Sequence, residues 1–212
     1  MLKTEKYFNL IGAAVGTFAL LSQYILMLEN SNHTTLETSI RFFSYFTILT
    51  NSLVTIFFLV RALGTPAVFN KLFSQPGVMT AISVYITIVG VVYQLLLRQI
   101  WAPEGLQLLV DELLHSVIPL YFVFYWYRFE AHSRLRWQHI PSWLFYPLLY
   151  LVYVLLRGSV SGFYPYPFLD VNSLGVRQVL LNSLGLLFVF LFFSVLYVGI
   201  GRWKIQRTVY NA

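Results

Sequence analysis

Residues 111–119 read DELLHSVIP, inside a stretch otherwise made of leucine, valine and aromatic residues. His115 is a candidate general base, because a neutral imidazole accepts a proton near pH 7. Asp111 stands one helical turn before it, where a carboxylate can hold the imidazole in one tautomer. A hydroxyl becomes a usable nucleophile when such a base takes its proton. That hydroxyl comes from RFFSYFTILTNSLVT at 41–55, in which Arg41, Ser44, Thr47, Asn51 and Thr55 fall within about a third of a helical circumference. Thr47 is the leading nucleophile and Thr50 the alternative. Gln94 and Asn182, on two further segments, carry amides that could donate to an oxyanion, and Ser44 and Asn51 flank Thr47 as supporting or substrate-binding groups.

Other chemistries lack their residues. There is no HExxH, no GxSxG and no glycine-rich phosphate loop. Cysteine is absent, and His33, His115, His132 and His139 share neither a helix face nor a layer, so no metal site and no cofactor are implied. The simpler reading of each polar residue is structural. Serine and threonine in membrane helices hydrogen-bond back to their own backbone, and asparagine and glutamine tie helices together.

The elements that must position these groups are membrane helices. Of 212 residues, 58% are hydrophobic, 18% aromatic and only 10% charged, against about 25% charged in a soluble domain. Crossing about 30 Å of hydrocarbon takes about 20 helical residues. Six segments reach that length: 7–28, 38–62, 77–100, 106–127, 141–158 and 174–201. No connector is long enough for a soluble domain, so 1–212 reads as a single all-α, six-helix transmembrane domain. Ten of the 14 Lys and Arg residues, from Lys3 and Lys6 through Arg134 to Arg207, fall on one side of the spans. The positive-inside rule puts both termini in the cytoplasm, and the net charge of +6 faces anionic lipid rather than nucleic acid. GAAVG at 12–16 marks a close helix contact, and the Tyr146, Tyr150, Tyr153 and Arg157 line on the fifth span reads as packing and interface anchoring.

Counted from the outer ends, Thr47 and His115 both lie about 13 Å deep, with Asn182 at a similar level and Gln94 shallower. Polar groups at that depth face a bundle interior or a wet cavity. An outward-opening polar pocket walled by aromatic side chains follows. Thr47 Oγ1 and the nearer imidazole nitrogen are expected within about 5 Å of each other. Pro119 removes a backbone donor and is expected to kink the fourth helix and open room for a ligand.

RFFSYFTILTNSLVTIFF, DELLHSVIP and YPYPFLDV resemble the corresponding stretches of the androgen-induced and androgen-dependent TFPI-regulating protein family, including its compact bacterial six-helix relatives. Animal members hydrolyse fatty-acid esters of hydroxy fatty acids with an intramembrane Thr and His. The resemblance implies Thr47 as nucleophile, His115 as base, and Asp170 as the acid ending an outer-loop motif. From the spans and orientation, Arg157, Asp170 and the YPYPF loop are expected to cover the outer mouth. Thr50-Asn51 and Arg157-Gly158 look like the bacterial branch, which implies a bacterial cytoplasmic membrane. The expected partners are the bilayer and a lipid or fatty-acyl substrate. A small transporter, with His115, Asp111 and Arg157 as a proton relay, and a non-catalytic lipid-binding protein are the alternatives; the missing internal repeat speaks against the transporter. The sequence specifies no oligomeric state.

Overall fold

The structure, a computed structural model, describes residues 3–64, 67–130, 132 and 135–210. Arg134, used in the charge count, lies outside them, as does the side chain of Arg207. Every described regular element is helical, and six helices are long and apolar enough to cross a membrane: Lys3–Glu29, Phe46–Leu63, Val78–Leu97, Gly105–Phe129, Trp137–Ser161 and Val171–Gln206. The chain is an all-α, multi-pass membrane protein. It divides into two compact units, 1–131 and 132–212.

The first unit holds α1 (Lys3–Glu29), α2 (Thr35–Phe42), α3 (Phe46–Leu63), α4 (Ala67–Phe73), α5 (Val78–Val92), α6 (Gly105–Glu112) and α7 (Ile118–Phe129). Helices in lipid gain nothing from hiding apolar surface from their neighbours, so close packing must hold them together. Gly12 and Gly16 supply that closeness: a methyl group on Gly12 would lie 2.5 Å from the Phe58 ring, and one on Gly16 would lie 2.2 Å from Thr55 Oγ1. The GAAVG step is thus a close helix contact, as expected from sequence, and the structure identifies its partner as α3. Deeper in the unit Phe57 and Phe58 of α3 meet Phe122 and Tyr125 of α7 edge-on, with ring centroids 5.3 Å (Phe57–Phe122) and 5.1 Å (Phe58–Tyr125) apart. Edge-to-face pairs of this kind are each worth about 0.5–1.5 kcal/mol beyond their packing area.

Two features depart from the sequence reading. The second span is not one helix from 38. The chain turns at 43–45, with Tyr45 extended (φ −82°, ψ 127°), before α3 begins at Phe46. Ser44 is buried in that turn and its hydroxyl donates to Ile40 O at 2.6 Å, while Arg41 pairs with Glu37 at 2.7 Å on α2. Arg41 and Ser44 therefore belong to the α2 end, and Thr47 stands in the first turn of α3. The second departure is that the third and fourth spans each contain a π-helical segment, Tyr93–Leu97 after α5 and Leu113–Val117 between α6 and α7.

The second unit holds α8 (Ile140–Trp143), α9 (Phe145–Ser161) and α10 (Val171–Tyr210), with short 3-10 turns at Trp137–His139 and Pro167–Leu169. The connector from α9 folds back on its own helix: a methyl group on Gly158 would lie 2.0 Å from Tyr164 Cε1, so the Tyr164 ring needs a glycine beneath it. Gly162 ends α9 in the left-handed conformation (φ 70°) and its N–H donates to Gly158 O at 2.8 Å. α10 is broken at Gly175 (φ 74°, ψ 158°), a conformation essentially confined to glycine.

Candidate functional site

The π segment at 113–117 determines how His115 is presented. Ile118 N–H donates to Leu113 O, five residues back, instead of to Leu114 O. The next donor in that register would be residue 119, but it is proline and has none. Leu114 O is therefore left over by its own helix. Asn51 takes it up: the Asn51 amide nitrogen donates to Leu114 O at 3.1 Å and to Thr47 O at 2.9 Å. One side chain thus binds the turn that carries Thr47 to the residue before His115. At Pro119 the fourth span thus carries a change of hydrogen-bond register, and α7 continues to Phe129.

Gly90 makes the arrangement possible from the other side. A methyl group there would lie 3.2 Å from His115 O and 3.4 Å from Pro119 Cβ, so α5 approaches the fourth span closely at this step. Pairings above and below (Gly90 with Pro119, Thr80 Oγ1 accepting from Trp126 Nε1 at 2.8 Å) run antiparallel, whereas Asn51 with Leu114 and Phe58 with Phe122 run parallel. That alternation is what consecutive membrane crossings require.

His115 is held on one edge and one face. Its Nδ1 lies 2.9 Å from Asp111 O and 3.2 Å from Asp111 Oδ1. A carbonyl and a carboxylate are acceptors, so this geometry suits the tautomer with its proton on Nδ1, which leaves Nε2 as the acceptor. The i, i+4 spacing brings Asp111 onto the imidazole edge directly. The Tyr93 ring stacks on the imidazole with centroids 4.0 Å apart and planes 13° from parallel, and the Tyr93 hydroxyl donates to Asp111 Oδ2. Asp111 is 4% exposed and Tyr93 3%. A carboxyl group so buried requires such partners. Thr47 is 8% exposed, and Thr50 and Asn51 are fully buried. In the first turn of α3, Thr47 sits near the positive end of the helix dipole, where negative charge is stabilised.

Gln94 stands beside this cluster rather than in it. Its amide nitrogen donates to Ser116 Oγ at 2.9 Å and its oxygen accepts from Arg98 at 2.8 Å, and Arg98 pairs with Glu112, which also accepts from Ser116 at 2.7 Å. The three remaining candidates lie in the second unit, each with local partners. Asn182 donates to Phe168 O at 2.9 Å and accepts from Gln178 at 3.0 Å. The Arg157 guanidinium lies 4.9 Å from the Phe163 ring centroid. Asp170 accepts from Asn172 N–H at 2.9 Å and Ser173 Oγ at 2.6 Å, capping the start of α10. The Ser173 hydroxyl, outweighing the effect of burial and helped by the Asn172 and Ser173 amides, holds the Asp170 carboxyl below its ordinary value.

Tyr93 is the residue that sequence reasoning passed over. It is one of 15 tyrosines, and its only sequence cue was its place beside Gln94 on the third span. Among the described residues no group of three or more His, Asp and Glu side chains could hold a metal ion. In comparisons with known proteins, no family model matches this chain, and no curated protein or solved structure does either.

Proposed function

We propose that this multi-pass membrane protein is an intramembrane lipid ester hydrolase with Thr47 as nucleophile and His115 as base. The observation that carries the reading is the Asn51 bridge: its amide joins Thr47 O to Leu114 O, next to an imidazole whose Nδ1 is already committed to Asp111. In the proposed reaction Nε2 takes the Thr47 hydroxyl proton as Oγ1 attacks the ester carbonyl. The tetrahedral oxyanion collapses, the C–O bond to the alcohol breaks, and the alcohol leaves with that proton. Water, deprotonated by the same nitrogen, then attacks the acyl-threonine and releases the fatty acid, restoring the hydroxyl. Asp111 stabilises the imidazolium formed in each half. The resemblance of the three motifs suggests fatty-acid esters of hydroxy fatty acids as substrates and a bacterial cytoplasmic membrane as the setting.

Purified protein in detergent is expected to turn over a long-chain ester and to label with a lipophilic fluorophosphonate. Labelling should vanish in Thr47→Ala and His115→Ala with the fold retained. Normal labelling of Thr47→Ala together with loss in Thr50→Ala would move the nucleophile to Thr50. The buried run of titratable groups from Tyr93 through Asp111 to His115 also favours a second reading, a proton-coupled carrier. Flux into proteoliposomes that follows a pH gradient, without ester turnover, would select it.

A further inference from the structure

We propose that Tyr93 is a positioning residue for His115, its ring and its hydroxyl acting on different partners; the role rests on the reading of His115 as the base. A carboxylate offers two oxygens, and in this cluster they are divided. Tyr93 donates to Oδ2, while Oδ1 lies 3.2 Å from His115 Nδ1. With one oxygen fixed, the carboxylate plane is fixed, and the other oxygen stays on the imidazole edge. The Tyr93 ring, stacked at 4.0 Å, removes the remaining freedom of the imidazole, rotation out of its plane. The Tyr93 hydroxyl, through Asp111, and the Tyr93 ring, by stacking, therefore control the imidazole from two directions, which neither Asp111 nor the packing of the helix does alone.

The local backbone explains why one side chain can do both. Arg98 N–H donates to Tyr93 O at 2.9 Å, five residues back, so the third span is wound more loosely from Tyr93 onward. Neighbouring side chains in an α-helix point about 100° apart, yet Tyr93 and Gln94 both reach the fourth span, at Asp111 and Ser116. π segments of one turn recur at functional sites for this reason: they re-aim consecutive side chains without ending the helix. Here two of them lie opposite each other, and the stacked pair Tyr93–His115 takes one member from each.

The test uses full-length protein in detergent micelles with nitrogen-15 in its four histidines, His115 being assigned by its absence in His115→Gln. The wild type should show His115 as a single tautomer, protonated at Nδ1, with its ring C–H protons shifted upfield by the Tyr93 ring. Tyr93→Phe keeps the ring and loses the oxygen. It should give a mixture of tautomers with the upfield shift retained, and slow fluorophosphonate labelling of Thr47 about tenfold, with KM for ester little changed, the loss expected for one hydrogen bond to a charged group. Tyr93→Leu should in addition lose the upfield shift. A Tyr93→Phe protein with the wild-type tautomer and labelling rate overturns the proposal while leaving the hydrolase reading in place. Wild-type protein that never labels, yet whose His115 signals respond as described, removes the hydrolase reading and leaves the positioning role. If Tyr93→Phe does not fold, the wild-type spectrum decides: unshifted imidazole protons or a mixed tautomer overturn the proposal, and a shifted single tautomer supports it.

Discussion

Replacing Asn51 with alanine removes the amide that Leu114 O depends on, and the structure allows the cost to be worked out. Two hydrogen bonds disappear, to Thr47 O and to Leu114 O. Thr47 O retains the α-helical donor four residues on, so its loss is small. Leu114 O has no such reserve, because Ile118 N–H goes to Leu113 O and residue 119 is proline. Stranding one buried carbonyl costs about 1–3 kcal/mol. Part of that is returned, since Asn51 Oδ1 is itself buried with no hydrogen-bond partner among the described residues. A net loss of about 1–2 kcal/mol is expected. The assay is reversible unfolding in mixed micelles by SDS titration, run as a double-mutant cycle with Pro119→Ala. Alanine at 119 restores an N–H, so Leu114 O can be satisfied within its own helix. Asn51→Ala should then cost less than half as much in that background. If the two substitutions add to within about 0.5 kcal/mol, Leu114 O and Pro119 are not coupled through Asn51, and the account of the π segment is wrong.

Gly158→Ala places a methyl group 2.0 Å from Tyr164 Cε1; the ring must leave, and a loss of about 1–3 kcal/mol is expected, with Tyr164→Ala in the same chain removing most of it. Glu112→Gln breaks the ion pair with Arg98, whose side chains are 29% and 47% exposed, so thermal unfolding should shift by the equivalent of less than about 1 kcal/mol and the difference should shrink in salt. Asp170 has a depressed carboxyl, so its cap contributes stability that is present above the ordinary value of 3.8 and lost as pH falls through the lower folded value. The protection of the Asn172 and Ser173 amides relative to their intrinsic exchange, followed from neutral pH downward, should fall in that acid window in the wild type, and Asp170→Asn should flatten the dependence.

The six spans were legible because hydropathy and length are properties of a window, not of a contact. The same holds for GAAVG, where two small residues one turn apart can only serve a close approach, and Phe58 and Thr55 occupy the space they leave. Boundaries were less legible. Arg41, Ser44 and Thr47 obey helical spacing, yet the chain turns between them, because Ser44 satisfies Ile40 O with its side chain and lets Tyr45 extend. Counting residues from the span ends assigns Gln94 and Asn182 a depth, but depth says nothing of azimuth. Gln94 is turned to Ser116 and Arg98, and Asn182 to the Phe168 carbonyl of its own unit.

Azimuth is what the two π segments change, and a helical wheel drawn at 3.6 residues per turn cannot contain them. The cue was nevertheless in DELLHSVIP. A proline four residues after His115 cannot donate to the histidine carbonyl, and its ring would press on that carbonyl if the helix stayed α. Widening the turn relieves the clash and passes the missing donor back to Leu114 O. The carbonyl then requires a donor from another helix, and in a bilayer water is not there to supply one. Asn51, one turn beyond Thr47, is that donor. The pairing of a hydroxyl helix with an imidazole helix is thus a consequence of one absent N–H. Proline and asparagine at these two positions are as much part of the arrangement as Thr47 and His115.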